Sequence, residues 1–311
     1  MGNSCLKHKK TGIGPPENNN IIKWKADRKT EKYHWWPMLE TNPNDTINNL
    51  YAEGGGLYKY DILFGARSCE YQKNNYYRNP DIDVQDMYWA GFCDKATTLS
   101  CLYQYPRYQV TVFYMGNICV FSQRDIEALM IIACDNSINP NISLFFGRRN
   151  DGELFDDKKE PYPSDLLEML KIISKNDEPF AMDIDNGESV WNYAFDSIKV
   201  SRHHKCLIEH EKPIKGETTY YNFKLYSEGY PEKNQDLWGY TNIITEPDGT
   251  QYKSEKWLSN KNPDFIWQQF RKKESWHGSC YINPEIDSGI VYKIYQHSLK
   301  DICLGTILTI H

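Results

Sequence analysis

The sequence predicts an α+β fold in which a cysteine-bearing helix packs on an antiparallel sheet and the C-terminal half is strand-rich. Three observations carry this. Helical patterns gather before residue 175 and strand patterns follow Pro179. No long alternation of strand and helix points to a parallel sheet. The chain shows no internal repeat, and its 311 residues suffice for one sizeable core.

Residues 1–30, with the polar run PPENNN and scattered lysines, are expected to form a flexible lead-in. Order is expected near HWWPM at 34–38, with residues 31–311 making a single domain. In NNLYAEGGGLYKYDILFGA (48–66) a glycine-rich turn precedes an apolar-patterned segment. Gly54–Gly56 lack the Lys-Ser/Thr ending of a phosphate-binding loop. YWAGFCDKATTLSCL (88–102) puts Cys93 at the start of a helix that stops before Pro106. YQVTVFY (108–114) and NICVFS (117–122) flank Met115-Gly116 as a hairpin. Ser122 and Asp125 then make a capping box for DIEALMIIACD. PSDLLEMLKIIS (163–174) is a further helix, starting at Ser164 or Asp165. Beyond it PFAMDID, ESVWNYAF, DSIKVS, HKCLIEHE and TYYNFKLY are expected as strands. YTNIITEPDGTQYKSEKW is a hairpin turning at Asp248-Gly249, and SGIVYKIYQHSL (288–299) a late strand.

Charged residues make up 25% and hydrophobic ones 40%, the mixture of a soluble globular protein. A net charge of −6 without a dense Lys/Arg stripe excludes a nucleic-acid footprint. The 23 tyrosines and 9 tryptophans suit half-buried sheet faces. Nine cysteines include no C-x-x-C pair, so no zinc module is expected. No apolar stretch reaches the roughly 18 residues of a membrane span. A reducing, cytoplasmic compartment is the expectation. The opening MGNSCLKHKK modifies it: Gly2, Cys5 and the lysines behind them resemble a myristoyl plus palmitoyl anchor with basic support. Leu6 stands where that motif expects Ser or Thr. Peripheral membrane contact through the N-terminus is the consequence, because one acyl chain alone binds only marginally.

Several segments together resemble the oomycete-elicitor-type transglutaminases and their bacterial relatives. YWAGFCDKAT is similar to the family's Trp-Gly-Cys segment, with Trp89, Gly91 and Cys93 in matching places. YKYDILFG (58–65), SLFFGRRND (143–151), FAMDIDNGESVWN (180–192) and SEKWLSNKNPDFIW (254–267) resemble further family segments in the same order. The resemblance implies a Cys93 thiolate attacking a glutamine side-chain amide, an oxyanion donor from the backbone around Phe92–Asp94, and a protein substrate or partner. It implies Asp183 as the family's acidic residue, with Asp185 a weaker substitute, and Asn192 as the Val-Trp-Asn asparagine. Trp89 and Trp191 would shape the acyl groove or the core.

One departure is specific. The family's histidine, about sixteen residues before the aspartate, falls on Leu167 here, in DLLEML, with Glu168 beside it. A base would have to come from His203, His204, His210 or His277, all downstream. Asp94 disfavours a neighbouring thiolate, while Lys95 works the other way. Calcium is a weak candidate cofactor at DGELFDDKKE (151–160) and DIDNGE (183–188), neither of which has EF-hand spacing. Asp185-Asn186-Gly187 suits a hairpin turn better. Two expectations therefore stand side by side. One is protein-glutamine acyl transfer or deamidation through a Cys93 thioester. The other is a catalytically degenerate relative that binds a protein partner at a membrane.

Overall fold

Helices precede strands along most of the chain, and strands dominate after residue 180. The computed structural model describes residues 20–39, 49–76, 90–134, 143–147, 160–184, 192–208, 215–228, 234–269, 283–300 and 307–311. In order, the first elements are β1 (Asn20–Lys25), α1 (Gly56–Phe64), α2 (Ser68–Tyr76) and α3 (Cys93–Leu102). Next come β2 (Val110–Tyr114), β3 (Asn117–Phe121), α4 (Gln123–Ala133), β4 (Ser143–Gly147) and α5 (Pro163–Ile173). The strand-rich half holds β5 (Phe180–Asp183), β6 (Asn192–Phe195), β7 (Ser197–Ile208), β8 (Lys215–Tyr226), β9 (Gln235–Thr245), β10 (Gln251–Trp257) and β11 (Phe265–Gln269). α6 (Ser288–Ser298) and β12 (Ile307–Thr309) close the chain. The protein is thus a strand-rich α+β fold with six helices among the described residues.

Three sheets organise it. A five-stranded sheet runs β1-β7-β8-β9-β10, and a four-stranded one runs β4-β11-β5-β6, both antiparallel throughout. The third has the order β12-β2-β3, with β12 parallel to β2. The β2–β3 hairpin turns on Met115 and Gly116, both at positive φ (45° and 85°), the backbone that a two-residue hairpin turn requires. α4 starts as its sequence dictates: Ser122 and Asp125 exchange side chain-to-backbone hydrogen bonds as a capping box. Every residue from Asp125 to Ala133 is buried, so α4 is the central helix of an apolar cluster shared with α1, α3 and α6. A second cluster lies between α5 and the inner faces of the two larger sheets. There Gly239 of β9 admits the ring of Pro163, which a Cβ at that position would approach to 2.4 Å.

The structure corrects four expectations. Residues 288–299 form α6, not a strand: Val291, Ile294, Tyr295 and Ser298 share its buried side, and Asp287 caps it by accepting from the Gly289 and Ile290 N–H groups. The lead-in is not structureless over its last third, because NIIKWK is β1, paired along β7. DSIKVS and HKCLI form one continuous strand, β7, so His203 and His204 lie within it and do not begin a strand. α5 begins at Pro163, with Tyr162 as N-cap, and Asp165 reaches back to accept from the Tyr162 N–H at 3.1 Å.

Candidate functional site

α3 has two working faces, set by its 3.6-residue period. Phe92, Ala96 and Leu99 enter the helical core. On the other side Cys101 and Leu102 meet Ala181, Ala194 and Trp267 of the four-stranded sheet. Cys93 and Thr97, one turn apart, meet the first residue of β6. The Thr97 hydroxyl donates to the Asn192 carbonyl at 3.2 Å, and the Asn192 side-chain Nδ2 donates to Cys93 Sγ at 3.4 Å. Asp183, fully buried at the end of β5, is the cross-strand partner of Asn192. Cys93, Asn192 and Asp183 are therefore brought together. Among the described residues no donor reaches the buried Asn192 Oδ1.

The segment before Cys93 is held by a strap from residues 34–38. The Phe92 N–H donates to the Trp35 and Trp36 carbonyls (2.6 and 3.2 Å), Pro37 bridges Gly91, and the Met38 N–H donates to the Ala90 carbonyl at 2.9 Å. Gly91 is required by that approach, since a Cβ there would lie 2.0 Å from the Trp35 ring. Trp36 sits at φ 46°, an uncommon backbone for a bulky residue, under the Arg124 guanidinium at 4.8 Å. The strap is fastened to α4: the His34 N–H donates to Glu127, which also accepts from the Tyr105 hydroxyl at 3.1 Å and lies 3.4 Å from Arg124. The Phe92 N–H, in the expected oxyanion stretch, is engaged by the Trp35 and Trp36 carbonyls.

Cys93 is half-buried at the first position of α3, with no side-chain cap on Phe92. Burial, reinforced by the negative charge of Asp94, pushes its thiol up to about 12; the Asn192 hydrogen bonds pull the other way, and Asp183 adds to the rise. Lys95 does not offset this as the sequence suggested. Its ammonium is buried on the opposite side, 3.5 Å from the Ile132 carbonyl and 5.7 Å from the Phe92 ring centre. Glu127 is 0% exposed, and burial lifts its carboxyl to about 7 against the pull of the His34 N–H, Arg124 and Tyr105.

Leu167 is 6% exposed and belongs to the apolar layer of α5, which packs on β9 and β10. The position to which the resemblance assigns a histidine is thus a core position. Glu168, its neighbour, turns to solvent and pairs with Lys171 at 2.7 Å, so it is no substitute base. Among the described residues no histidine hydrogen-bonds Cys93; His204 Nδ1 instead shares a hydrogen bond with Thr219 at 2.9 Å. Gly2, Cys5, Trp89, Asp185, Trp191, His210 and His277 lie outside the described residues. So does most of both candidate calcium segments; among the described residues no three His, Cys, Asp or Glu side chains are grouped to hold a metal. Sequence reasoning missed the strap, Glu127 and Arg124, which no local pattern joins. The positive φ of Trp36 could be found only in the fold.

The site defines a class: a cysteine at a helix start, hydrogen-bonded by an asparagine from an antiparallel sheet. Compared with known proteins, the chain matches no family model, no curated protein and no solved structure. No helix among the described residues is long and apolar enough to cross a membrane.

Proposed function

We propose that the protein is a transglutaminase-like acyltransferase acting through Cys93 on glutamine side chains. The observation that carries this reading is the 3.4 Å hydrogen bond from Asn192 to the Cys93 sulfur, with Asp183 directly across the strand pair. Cys93 Sγ attacks the carboxamide carbon. The thiol proton passes to the carboxylate of Asp183, the buried cross-strand partner of Asn192. The C–N bond then breaks, and the proton leaves with ammonia. The N-terminal dipole of α3, at whose first position Cys93 stands, stabilises the oxyanion. A lysine amine then displaces the thioester to give an isopeptide, or water gives glutamate, and the thiol is restored.

The test is ammonia release from a glutamine-containing peptide, with and without a fluorescent primary amine, plus intact mass of the protein. Ammonia release, amine incorporation and an acyl adduct lost in Cys93→Ser support the reading. Absence of both turnover and adduct in the wild type refutes it. A second reading has its own support in the thiol lifted to about 12: the site holds a carboxamide-bearing partner without turnover. Peptide binding that survives in Cys93→Ser, with no ammonia from the wild type, selects that alternative.

A further inference from the structure

The five-stranded sheet turns one face to α5 and the apolar cluster beneath it, while the other carries a different chemistry. Directly paired residues of antiparallel strands share a face. Pairing therefore aligns His203, Tyr220, Tyr240 and Lys256 in one row across β7 to β10. Two residues along, Trp238 stands opposite Asn222; two further, Lys23, Lys199, Lys224 and Asp236 form a row from β1 to β9. All of these alternate with the core residues Val200, Phe223 and Leu237, so they point away from the core.

Charge on this face opposes that of the whole chain. Asp236 is the only carboxylate at an outward position of its described strands, and it is already engaged by Asn222 and, at 3.9 Å, by Lys224. Lys23, Lys25, Lys199 and Lys256 form no ion pair with a described carboxylate, in a chain whose net charge is −6. Beyond β8, Glu228 pairs with Lys29. The uncharged part is aromatic with polar tips: Trp238 is 40% and Tyr252 58% exposed, and Leu258, bonded through its N–H to the Trp238 carbonyl, is 51% exposed.

We propose that this outward face docks on a bilayer surface bearing anionic headgroups. Lysine ammoniums meet headgroups while their stems lie along apolar surface, and Trp and Tyr rings favour the boundary between water and acyl chains. A single-stranded nucleic acid asks for something different, namely open ring faces on which bases stack. Here Tyr220 and Tyr240 lie 6.0 Å apart at 52°, turned against each other, and Leu258 offers an aliphatic tip beside Trp238. Position along the chain agrees: the strand that brings Lys23 and Lys25 to this face follows the segment containing Gly2 and Cys5. An acyl chain there would enter the same bilayer. The docking face is independent of the chemistry at Cys93.

The experiment uses the full, unacylated chain, so that the face is tested without its lipid. Sedimentation with phosphatidylcholine vesicles, with and without phosphatidylserine, measures binding. We expect binding only to the anionic vesicles and weakening by salt. Lys23→Gln, Lys199→Gln and Lys256→Gln should each lower affinity about fivefold, which corresponds to about 1 kcal/mol per lysine at the surface. Lys→Arg variants at the same positions should retain it, and melting curves confirm that each variant is folded. The Trp238→Phe variant should lose part of the tryptophan blue shift seen on vesicle addition. Equal binding to neutral and anionic vesicles, no binding to either, or unchanged affinity in the Gln variants overturns the proposal. So does binding of a single-stranded oligonucleotide that the Gln variants lose, if vesicles are not bound.

Discussion

Replacing Glu127 with glutamine tests the electrostatics of the strap. Glu127 is fully buried between the His34 N–H, the Tyr105 hydroxyl and Arg124, and its carboxyl is lifted from 4.5 to about 7. A group that binds its proton more tightly when folded gives stability that is present below its unfolded pKa and lost as pH rises through the folded value. Wild-type stability should therefore fall between pH 4.5 and about 7, by about 3 kcal/mol from this residue alone at 1.36 kcal/mol per pKa unit. Glutamine keeps the shape and the acceptor for His34 but cannot ionise. The variant should match the wild type to within about 1 kcal/mol in acid and exceed it by up to about 3 kcal/mol at pH about 8. Urea unfolding at a series of pH values, followed by tryptophan fluorescence, measures the difference directly. An unchanged pH slope in Glu127→Gln, or a loss of stability at alkaline pH, would refute the reasoning.

Other outcomes follow from the same geometry. Cys93 should alkylate slowly near neutrality and speed up about tenfold per pH unit toward its value near 12, as pH-resolved mass spectrometry of iodoacetamide adducts would record. Asn192→Ala should slow it further, because the hydrogen bond that favours the thiolate is gone; faster labelling of Cys93 than of Cys119 at neutral pH would contradict this. Gly91→Ala places a Cβ against the Trp35 ring and should cost about 1–3 kcal/mol in denaturant unfolding. Leu167→His, which introduces the histidine that the resemblance expects there, should destabilise by about 1–3 kcal/mol and leave Cys93 alkylation unchanged, since that position is in the α5 layer. Ile294→Ala should cost about 2–5 kcal/mol if α6 packs as described, whereas a near-neutral result would count against the helix.

Local chemistry made much of the fold legible. The hairpin at Met115-Gly116 and the Ser122–Asp125 box are short-range devices, and both formed where their residues demanded. α6 was misjudged for a physical reason: IVYKIY is rich in β-branched and aromatic residues, and that propensity hid the spacing of Val291, Ile294, Tyr295 and Ser298 and the Asp287 cap. β1 was missed because NIIKWK sits beside a polar run and gains its stability from β7, far along the chain. At the site, Cys93, Asp183 and Asn192 were accessible through ordered segments of sequence. Glu127, Arg124 and the strap were not, because their contacts join residues up to 93 positions apart and depend on α4 being placed first.

α3 is a party wall. Its Phe92 side belongs to the helical half and its Thr97 side is tied to the sheet half, so neither half alone creates the environment of the sulfur. Anything that wedges at this wall gains leverage on both halves at once. Slow amide exchange in α3 should therefore report the cohesion of the whole chain, and a ligand lodged beside Cys93 should raise the melting temperature of helices and sheets together.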